Sequence, residues 1–461
     1  MEFDYKKYKH FYFVGVGGTG MSAIAQWLVG EGVKVSGSDR LFNSSNKTEI
    51  QVQLEAAHVG CFPQDGSGVA DDVDVMVIST AIESDNVELQ RAKALGITVV
   101  KRAVVLGSIS RYKKTIAVAG TSGKSTTAAM VFHILECMNK KASFISGAGL
   151  VTLQERGMIG NSWHGDGDLL VIESDESDGS IVEYANEVAI LLNVERDHKD
   201  FDELMELFKI FKSHTKSAFC ANLDDSRSAL LADMANSFSA EDNSASVCSA
   251  DFEQSGFNIG FKCNGIRVSI PVAGKHNMYN AMAAMTACKT VGISLEDSAK
   301  CLSSFRGIYR RMQLVGQKNG ICVVDDFAHN PSEVAAAIRA AQNIGKRVWA
   351  WFQPHGFGPL KFMHEDLVKE VSAALRPEDC FILTDVYYAG GTVSRDVTSA
   401  DVYAEIKSLS SNSMYFPDRK DMVAFLKQAV NEGDTVLMMG ARDVTMSNFA
   451  KSVFAELTDK A

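Results

Sequence analysis

The chain has 461 residues, of which 46% are hydrophobic and 22% charged, with a net charge of −11 at neutral pH. That length exceeds one hydrophobic core and, at about 150 residues per domain, predicts three domains; the acidic balance excludes nucleic acid or an anionic membrane as the main partner but leaves room for small anions in a local basic pocket. The 9 cysteines form no C-x-x-C pair, residues 1–7 lack a signal-peptide core and no apolar run reaches membrane-spanning length, so free thiols, no structural zinc and a cytoplasmic location are expected.

Strands are predicted at 11–16, 34–37, 73–78 and 97–100, with a helix at 21–29, the alternation of a doubly wound α/β domain over residues 1–112. Between the first strand and helix, Gly15-Val16-Gly17-Gly18-Thr19-Gly20 satisfies G-x-G-x-x-G, and Asp39 follows about twenty residues on. Such a loop receives a diphosphate at a helix N-terminus, and the acidic residue accepts from a ribose hydroxyl. Any ligand with a diphosphate and a ribose presents those groups, so NAD and hence an oxidoreductase is one reading, and a glycine turn needed only for packing is another.

A boundary at 112–114 leads to a buried strand at 115–118 and a helix at 127–138, which enclose Gly120-Thr121-Ser122-Gly123-Lys124-Ser125-Thr126. Here glycines let backbone N–H groups converge on phosphate oxygens, Lys124 supplies a point charge, and the Ser125 hydroxyl can reach Mg²⁺. The first glycine of G-x-x-x-x-G-K-[ST] is replaced by Val118, which leaves a shortened G-T-x-G-K-[ST]-T loop and predicts use of ATP. A strand at 169–172 ends in Glu173-Ser174-Asp175-Glu176-Ser177-Asp178, a carboxylate run placed to hold Mg²⁺. Another strand at 188–192 ends in Asn193-Val194-Glu195-Arg196-Asp197-His198, so Ser125, Glu173 and His198 are expected in one crevice. Helices are predicted at 201–212 and 278–291, and residues 236–263 read as a surface excursion with short antiparallel strands. A third α/β unit starts near 307, with strands at 321–324, 348–352, 381–383 and 435–438, and the active site is expected where the three domains meet.

Taken together, Gly120 to Thr126, Glu173 to Asp178, Asn193 to His198, Gly274-Lys275-His276-Asn277 with Asn280, and Arg310-Arg311 resemble, in order and spacing, the Mur ligases, ATP-dependent amide-forming enzymes of peptidoglycan synthesis. The resemblance covers essentially the whole chain and is strongest, in FVGVGGTGMSAIA, VSGSD and STAIESDN, to members that load an amino acid or a recycled tripeptide onto UDP-N-acetylmuramate. It implies an α/β protein of three domains: a Rossmann-like UDP-binding domain at 1–112, a central P-loop ATPase domain with a mostly parallel sheet at 113–306, and a C-terminal Rossmann-like acceptor domain at 307–461. It implies a cytoplasmic monomer or homodimer that uses ATP and Mg²⁺ to join an amino acid, L-alanine first among candidates, to UDP-N-acetylmuramate through an acyl phosphate.

The same resemblance distributes roles. Gly15, Gly17, Gly18, Thr19 and Gly20 with Ser38 and Asp39 would hold UDP, and Ser79, Thr80 and Ala81 would line that crevice. Lys124 would neutralise phosphate charge, with Ser125 and Glu173 on one Mg²⁺ and His198 on a second. His276 and Asn280 would contact adenine, Arg310 or Arg311 the phosphates and Asp325 the ribose, and His329 and His355 join the catalytic set. The chain departs from the pattern at Asn330, where the family carries a second His, and at Gly356 and Pro359, where it carries arginines suited to an amino acid's carboxylate. Either Arg395 or Lys361 takes over that charge, or the acceptor is larger than L-alanine, as for a ligase that recycles a tripeptide. A silent, nucleotide-binding regulator is a further reading, against which Lys124, Glu173 and His198 all stand.

Overall fold

The computed structural model describes residues 3–176, 179–195, 200–388, 395–409 and 412–458. The apolar segment β1 (His10–Val14) is buried along its whole length and forms the middle of a five-stranded sheet. The other strands are β2 (Lys34–Asp39), β3 (Gly60–Pro63), β4 (Val75–Ile78) and β5 (Thr98–Lys101), in the all-parallel order β3-β2-β1-β4-β5. Crossover helices α1 (Thr19–Gly30), α2 (Glu49–Ala56), α3 (Val87–Leu95) and α4 (Arg102–Ser110) connect and follow them. Since β2 and β3 extend to one side of β1 and β4 and β5 to the other, the order reverses between β1 and β4, which opens a crevice at their carboxyl ends. The short, half-buried β3, which contains a glycine and a proline, gave no sequence signal.

The second sheet has ten strands, in the order β15-β14-β13-β12-β11-β10-β6-β9-β7-β8. They are β6 (Lys114–Ala119), β7 (Ser143–Ile145), β8 (Ser162–Trp163), β9 (Leu169–Glu173), β10 (Asn186–Leu191), β11 (Thr215–Asn222), β12 (Ser237–Ser239), β13 (Val247–Ser255), β14 (Asn258–Cys263) and β15 (Ile266–Ile270). At its centre β6 lies parallel to β9 and β10, and its helix α5 (Lys124–Cys137) is buried on most of its surface, as its near-continuous apolar sequence requires. The helix starts at Lys124, not at 127, because Gly123 at φ +84° turns the chain directly into it. The excursion at 236–263 is corrected in part: β11 pairs with β12, and β12 with β13, in parallel, whereas β13, β14 and β15 are neighbours joined by two-residue turns at 256–257 and 264–265, which makes them the antiparallel hairpins expected there. Helices α6 (Val151–Gln154), α7 (Phe201–Ser213), α8 (Lys275–Thr290) and α9 (Leu295–Leu302) complete this part. Packing of α5 on α9 joins Cys137 to Cys301 as a disulfide, with Cα atoms 5.9 Å apart, against the expectation of free thiols throughout.

The third sheet, in the order β16-β17-β21-β18-β19-β20, comprises β16 (Gln313–Lys318), β17 (Ile321–Asp326), β18 (Val348–Phe352), β19 (Cys380–Leu383), β20 (Ser413–Tyr415) and β21 (Thr435–Met439). One face is covered by α10 (Pro331–Ala341), α11 (Phe357–Ala374) and α12 (Ser399–Leu409), the other by α13 (Arg419–Ala429) and α14 (Met446–Thr458), each with its own buried cluster. β16 is antiparallel to β17 through the tight turn Asn319-Gly320, whose φ values of 54° and 73° are those an Asn-Gly hairpin adopts. By contacts the chain divides into one unit of Met1–Asp251, Phe261–Val268 and Tyr279–Ile308 and a second of Phe252–Gly260, Ser269–Met278 and Tyr309–Ala461.

Candidate active site

The phosphate loop lies at the carboxyl end of β6, and its backbone demands its glycines. Gly120 has φ +135° and Gly123 φ +84°, and a Cβ on Gly123 would fall 2.5 Å from Asn280 Oδ1. Asn280, expected at the adenine, abuts the loop, and its Oδ1 accepts from Thr127 Oγ1 at 3.1 Å. Asn193, at the end of the adjacent β10, holds the loop from the other side. Its Oδ1 accepts from Thr121 Oγ1 and Ser122 N–H, each at 2.9 Å, and its Nδ2 donates to the Ser122 carbonyl at 3.2 Å. Lys124 Nζ donates to the Gly120 carbonyl at 2.7 Å and to both oxygens of Glu176, at 3.2 and 3.0 Å. Burial works against the ammonium's charge, but Glu176, Asp175 and Glu173 overcome it and raise the Lys124 pKa.

Glu173 lies opposite Val118 in register, so its carboxylate emerges beside the loop, where Oε2 accepts from Ser146 Oγ at 2.8 Å and Gly147 N–H at 2.7 Å. Ser125, 6% exposed, opens α5, and the buried Ser174 hydroxyl has no hydrogen-bond partner. A carboxylate beside a phosphate loop that carries a serine hydroxyl is the kind of oxygen donor chemistry that suits Mg²⁺. Among the described residues no group of three or more His, Cys, Asp or Glu is placed to hold a metal. His198, Ser177 and Asp178 lie outside the described residues.

The glycine loop after β1 forms a second concavity. A cavity of about 570 Å³ is lined by Gly15, Gly18, Thr19 and Gly20, by Ser79 and Thr80 after β4, and by Lys101 and Arg102. Ala81 does not line it, and Gly17 is turned toward Asp39, to whose Oδ2 its N–H donates at 3.2 Å. Ser38, expected at the UDP, supports the glycine loop: its hydroxyl is buried on Glu88, and its carbonyl accepts from the N–H groups of Gly15 and Val16, each at 2.8 Å. The cation that sequence reading missed is Arg102, whose guanidinium lies where a Cβ on Gly20 would collide with it. Its signal was Lys101-Arg102 at a strand-to-helix junction, on the edge where α/β sheets bind anions.

In the second unit Arg310 and Asp325 are turned to each other. Arg310 Nε donates to both Asp325 oxygens at 3.1 Å and Nη2 to the Gly440 carbonyl at 2.6 Å, with Ser447 Oγ also on Asp325 at 2.8 Å. With side-chain exposures of 8% and 2%, the two residues, expected at the phosphates and the ribose, form a buried ion pair. Arg311 is more open and faces Glu333 at 3.7 Å. Burial, joined by Arg311, pushes the half-buried His276 down to about 4, so its imidazole is neutral near pH 7. His329 is oriented by the Phe327 carbonyl and by Glu333, each at 3.1 Å from Nδ1, and its ring lies 5.6 Å from that of the buried His355. Asn330 caps α10, its Oδ1 accepting from Glu333 N–H at 2.9 Å, a duty Asn performs well.

The sites thus sit at carboxyl ends of parallel strands in three sheets, and comparison with known proteins agrees with that arrangement. Residues 10–114 match the family model described as the Mur ligase family, catalytic domain, 118–288 the Mur ligase middle domain, and 310–442 the Mur ligase, glutamate ligase domain. The UDP-N-acetylmuramate–L-alanine ligase of Pelotomaculum thermopropionicum is 35% identical over 461 residues, covering 95% of this chain and 96% of its own. That of Syntrophomonas wolfei is 34% identical over 456 residues, covering 95% of each. The crystal structure of the UDP-N-acetylmuramate-alanine ligase of Thermotoga maritima superposes with a TM-score of 0.78 at 25% identity, over 97% of this chain and 98% of its own. The nicotinamide reading of Gly15 to Gly20 is set aside, because the model that matches this segment is that of a ligase. With its three domain models matched in order and its relatives aligned from end to end, the chain belongs to the Mur ligase family and is an ADP-forming ligase of peptidoglycan synthesis.

Proposed function

We propose that the chain joins L-alanine to UDP-N-acetylmuramate in the cytoplasm, with residues 1–112 serving the UDP-sugar, 113–306 ATP and 307–461 the amine acceptor. A muramyl carboxylate oxygen attacks the γ-phosphorus of ATP and ADP leaves; the amine then attacks the acyl carbon of the resulting acyl phosphate, inorganic phosphate leaves, and the amine gives up a proton. The activation is needed because a carboxylate is too poor an electrophile for an amine. The reading rests above all on the Asn193-braced loop that presents Lys124 and Ser125 beside Glu173.

In this scheme the loop N–H groups and Lys124 take the phosphates of ATP and offset charge as it builds up on the transferring group. Ser125 and Glu173 would hold Mg²⁺, which supplies Lewis-acid neutralisation of the phosphates. Of the paired arginines, Arg311 is more open to a nucleotide than Arg310 although it faces Glu333, and the neutral His276 suits an adenine edge. Gly15, Gly18, Thr19, Gly20, Ser79, Thr80 and Arg102 receive the uridine diphosphate, with Asp39 for its ribose. His329 and His355 stand at the acceptor side.

ADP release by the purified protein is expected only when UDP-N-acetylmuramate and an amine are both present. L-Alanine, glycine, L-serine and the murein tripeptide should be compared as acceptors. Turnover indifferent to both co-substrates refutes the reading, and a clear preference for the tripeptide replaces L-alanine with a recycled peptide.

A further inference from the structure

An amino-acid acceptor carries a carboxylate through every step, and a site that selects for it needs a cation not already matched by an acid. The carboxyl edge of the third sheet has several cations, most of which are taken. Arg310 pairs with Asp325, Arg311 with Glu333, Arg419 with Asp443, and Lys361 with Asp396 at 2.6 Å. Arg395 differs: it pairs with no acid among the described residues, and its guanidinium lies 5.1 Å from the Phe357 ring centroid and 5.3 Å from that of Tyr388.

Those two rings are held by backbone. Gly356 N–H donates to the Tyr387 carbonyl at 2.9 Å, Tyr387 N–H donates to the Pro354 carbonyl at 2.8 Å, and His355 and Tyr387 form a parallel bridge. The rings themselves meet edge to face at 5.4 Å. Aromatic neighbours orient an arginine without using its in-plane N–H donors, which stay open to a planar, bidentate anion. An arginine at position 356 is incompatible with this turn, because Gly356 has φ +72° and ψ 138°, a conformation reserved for glycine. Pro359, in the first turn of α11, offers no N–H at all.

We propose that Arg395, seated against the rings of Phe357 and Tyr388, binds the carboxylate of the amine acceptor. The inference rests on the reading that the acceptor is an amino acid or peptide. Arg442 is the rival cation on this edge: exposed, at φ +61° just beyond β21, but with no aromatic seat among the described residues.

Steady-state kinetics of the full chain at saturating ATP and UDP-N-acetylmuramate separate the possibilities, with L-alanine compared with L-alaninamide, which lacks the carboxylate. The wild-type protein should prefer L-alanine. Arg395→Ala should raise the KM for L-alanine at least about tenfold, leave the KM for ATP within a factor of two or three, and abolish the preference for acid over amide, while Arg395→Lys recovers part of it. Arg442→Ala should leave that preference intact. If the wild-type protein uses a carboxylate-bearing acceptor and Arg395→Ala changes neither KM nor preference, or Arg442→Ala changes them instead, the assignment fails while the ligase reading stands. If the wild-type protein joins no carboxylate-bearing amine, whether alanine or tripeptide, both fall together.

Discussion

A buried ammonium has to be matched, and Lys124, at 13% side-chain exposure, is matched by Glu176 at 4%. The pair predicts two separable effects. Lys124→Ala should lower ligase turnover by 100-fold or more, as removal of a charge from a phosphoryl-transfer site does. It should also destabilise the fold, on the order of 3 kcal/mol, by stranding the Glu176 carboxylate. The double variant Lys124→Ala/Glu176→Gln should regain most of the lost melting temperature and none of the turnover. Thermal melting alongside ADP release reads both, and recovery of activity in the double variant would deny Lys124 its catalytic part. Other residues show how local duty explains a departure from the family pattern: Asn330 caps α10, and Gly356 makes a turn that an arginine cannot.

The β6–loop–α5 element was legible because its signal is local: an apolar strand, two glycines, a lysine and a helix follow one another directly. The bracing role of Asn193, a residue the sequence places only in a polar run at a strand end, was not, because it acts across 72 residues of sequence and only the parallel pairing of β10 with β6 brings it to Thr121. Apolar runs located the central strands of the three sheets to within a few residues, whereas the short strands β3, β7, β8 and β20, and also β11 and β16, were not read. The Asn319-Gly320 hairpin was readable in principle, as that dipeptide favours two positive φ values, and β16 follows from it. Since the Asn193 side chain makes three hydrogen bonds to the phosphate loop, its effect should be confined to ATP. Asn193→Ala is expected to raise the KM for ATP about tenfold or more, with little change in that for UDP-N-acetylmuramate. Equal increases in both would mean that the substitution loosens the whole unit instead.

At the scale of the molecule, pH acts on the second unit through groups that oppose one another. His276 titrates at about 4 in the folded chain, against an ordinary 6.5, because burial and Arg311 disfavour its charge. The unfolded chain therefore takes up a proton first, and stability falls as pH drops from about 6.5 to about 4. Asp326 has the opposite sign: burial raises it from 3.8 to about 6 despite Arg311 and the N–H groups of Met312 and Ala328, so the folded chain is protonated first and stability rises as pH falls through nearly the same window. Glu333, which His329 and Arg311 hold below its ordinary value against its burial, adds a loss only once pH falls below about 4.5. Within this cluster the first two contributions nearly cancel between pH 6.5 and 4. His276→Gln removes one side of the balance, and its melting temperature relative to wild type should climb steadily over that range, by an amount worth roughly 2–3 kcal/mol at pH 4. A difference that stays constant with pH would mean that His276 remains chargeable in the fold, and would remove the physical basis for placing a neutral imidazole at the adenine.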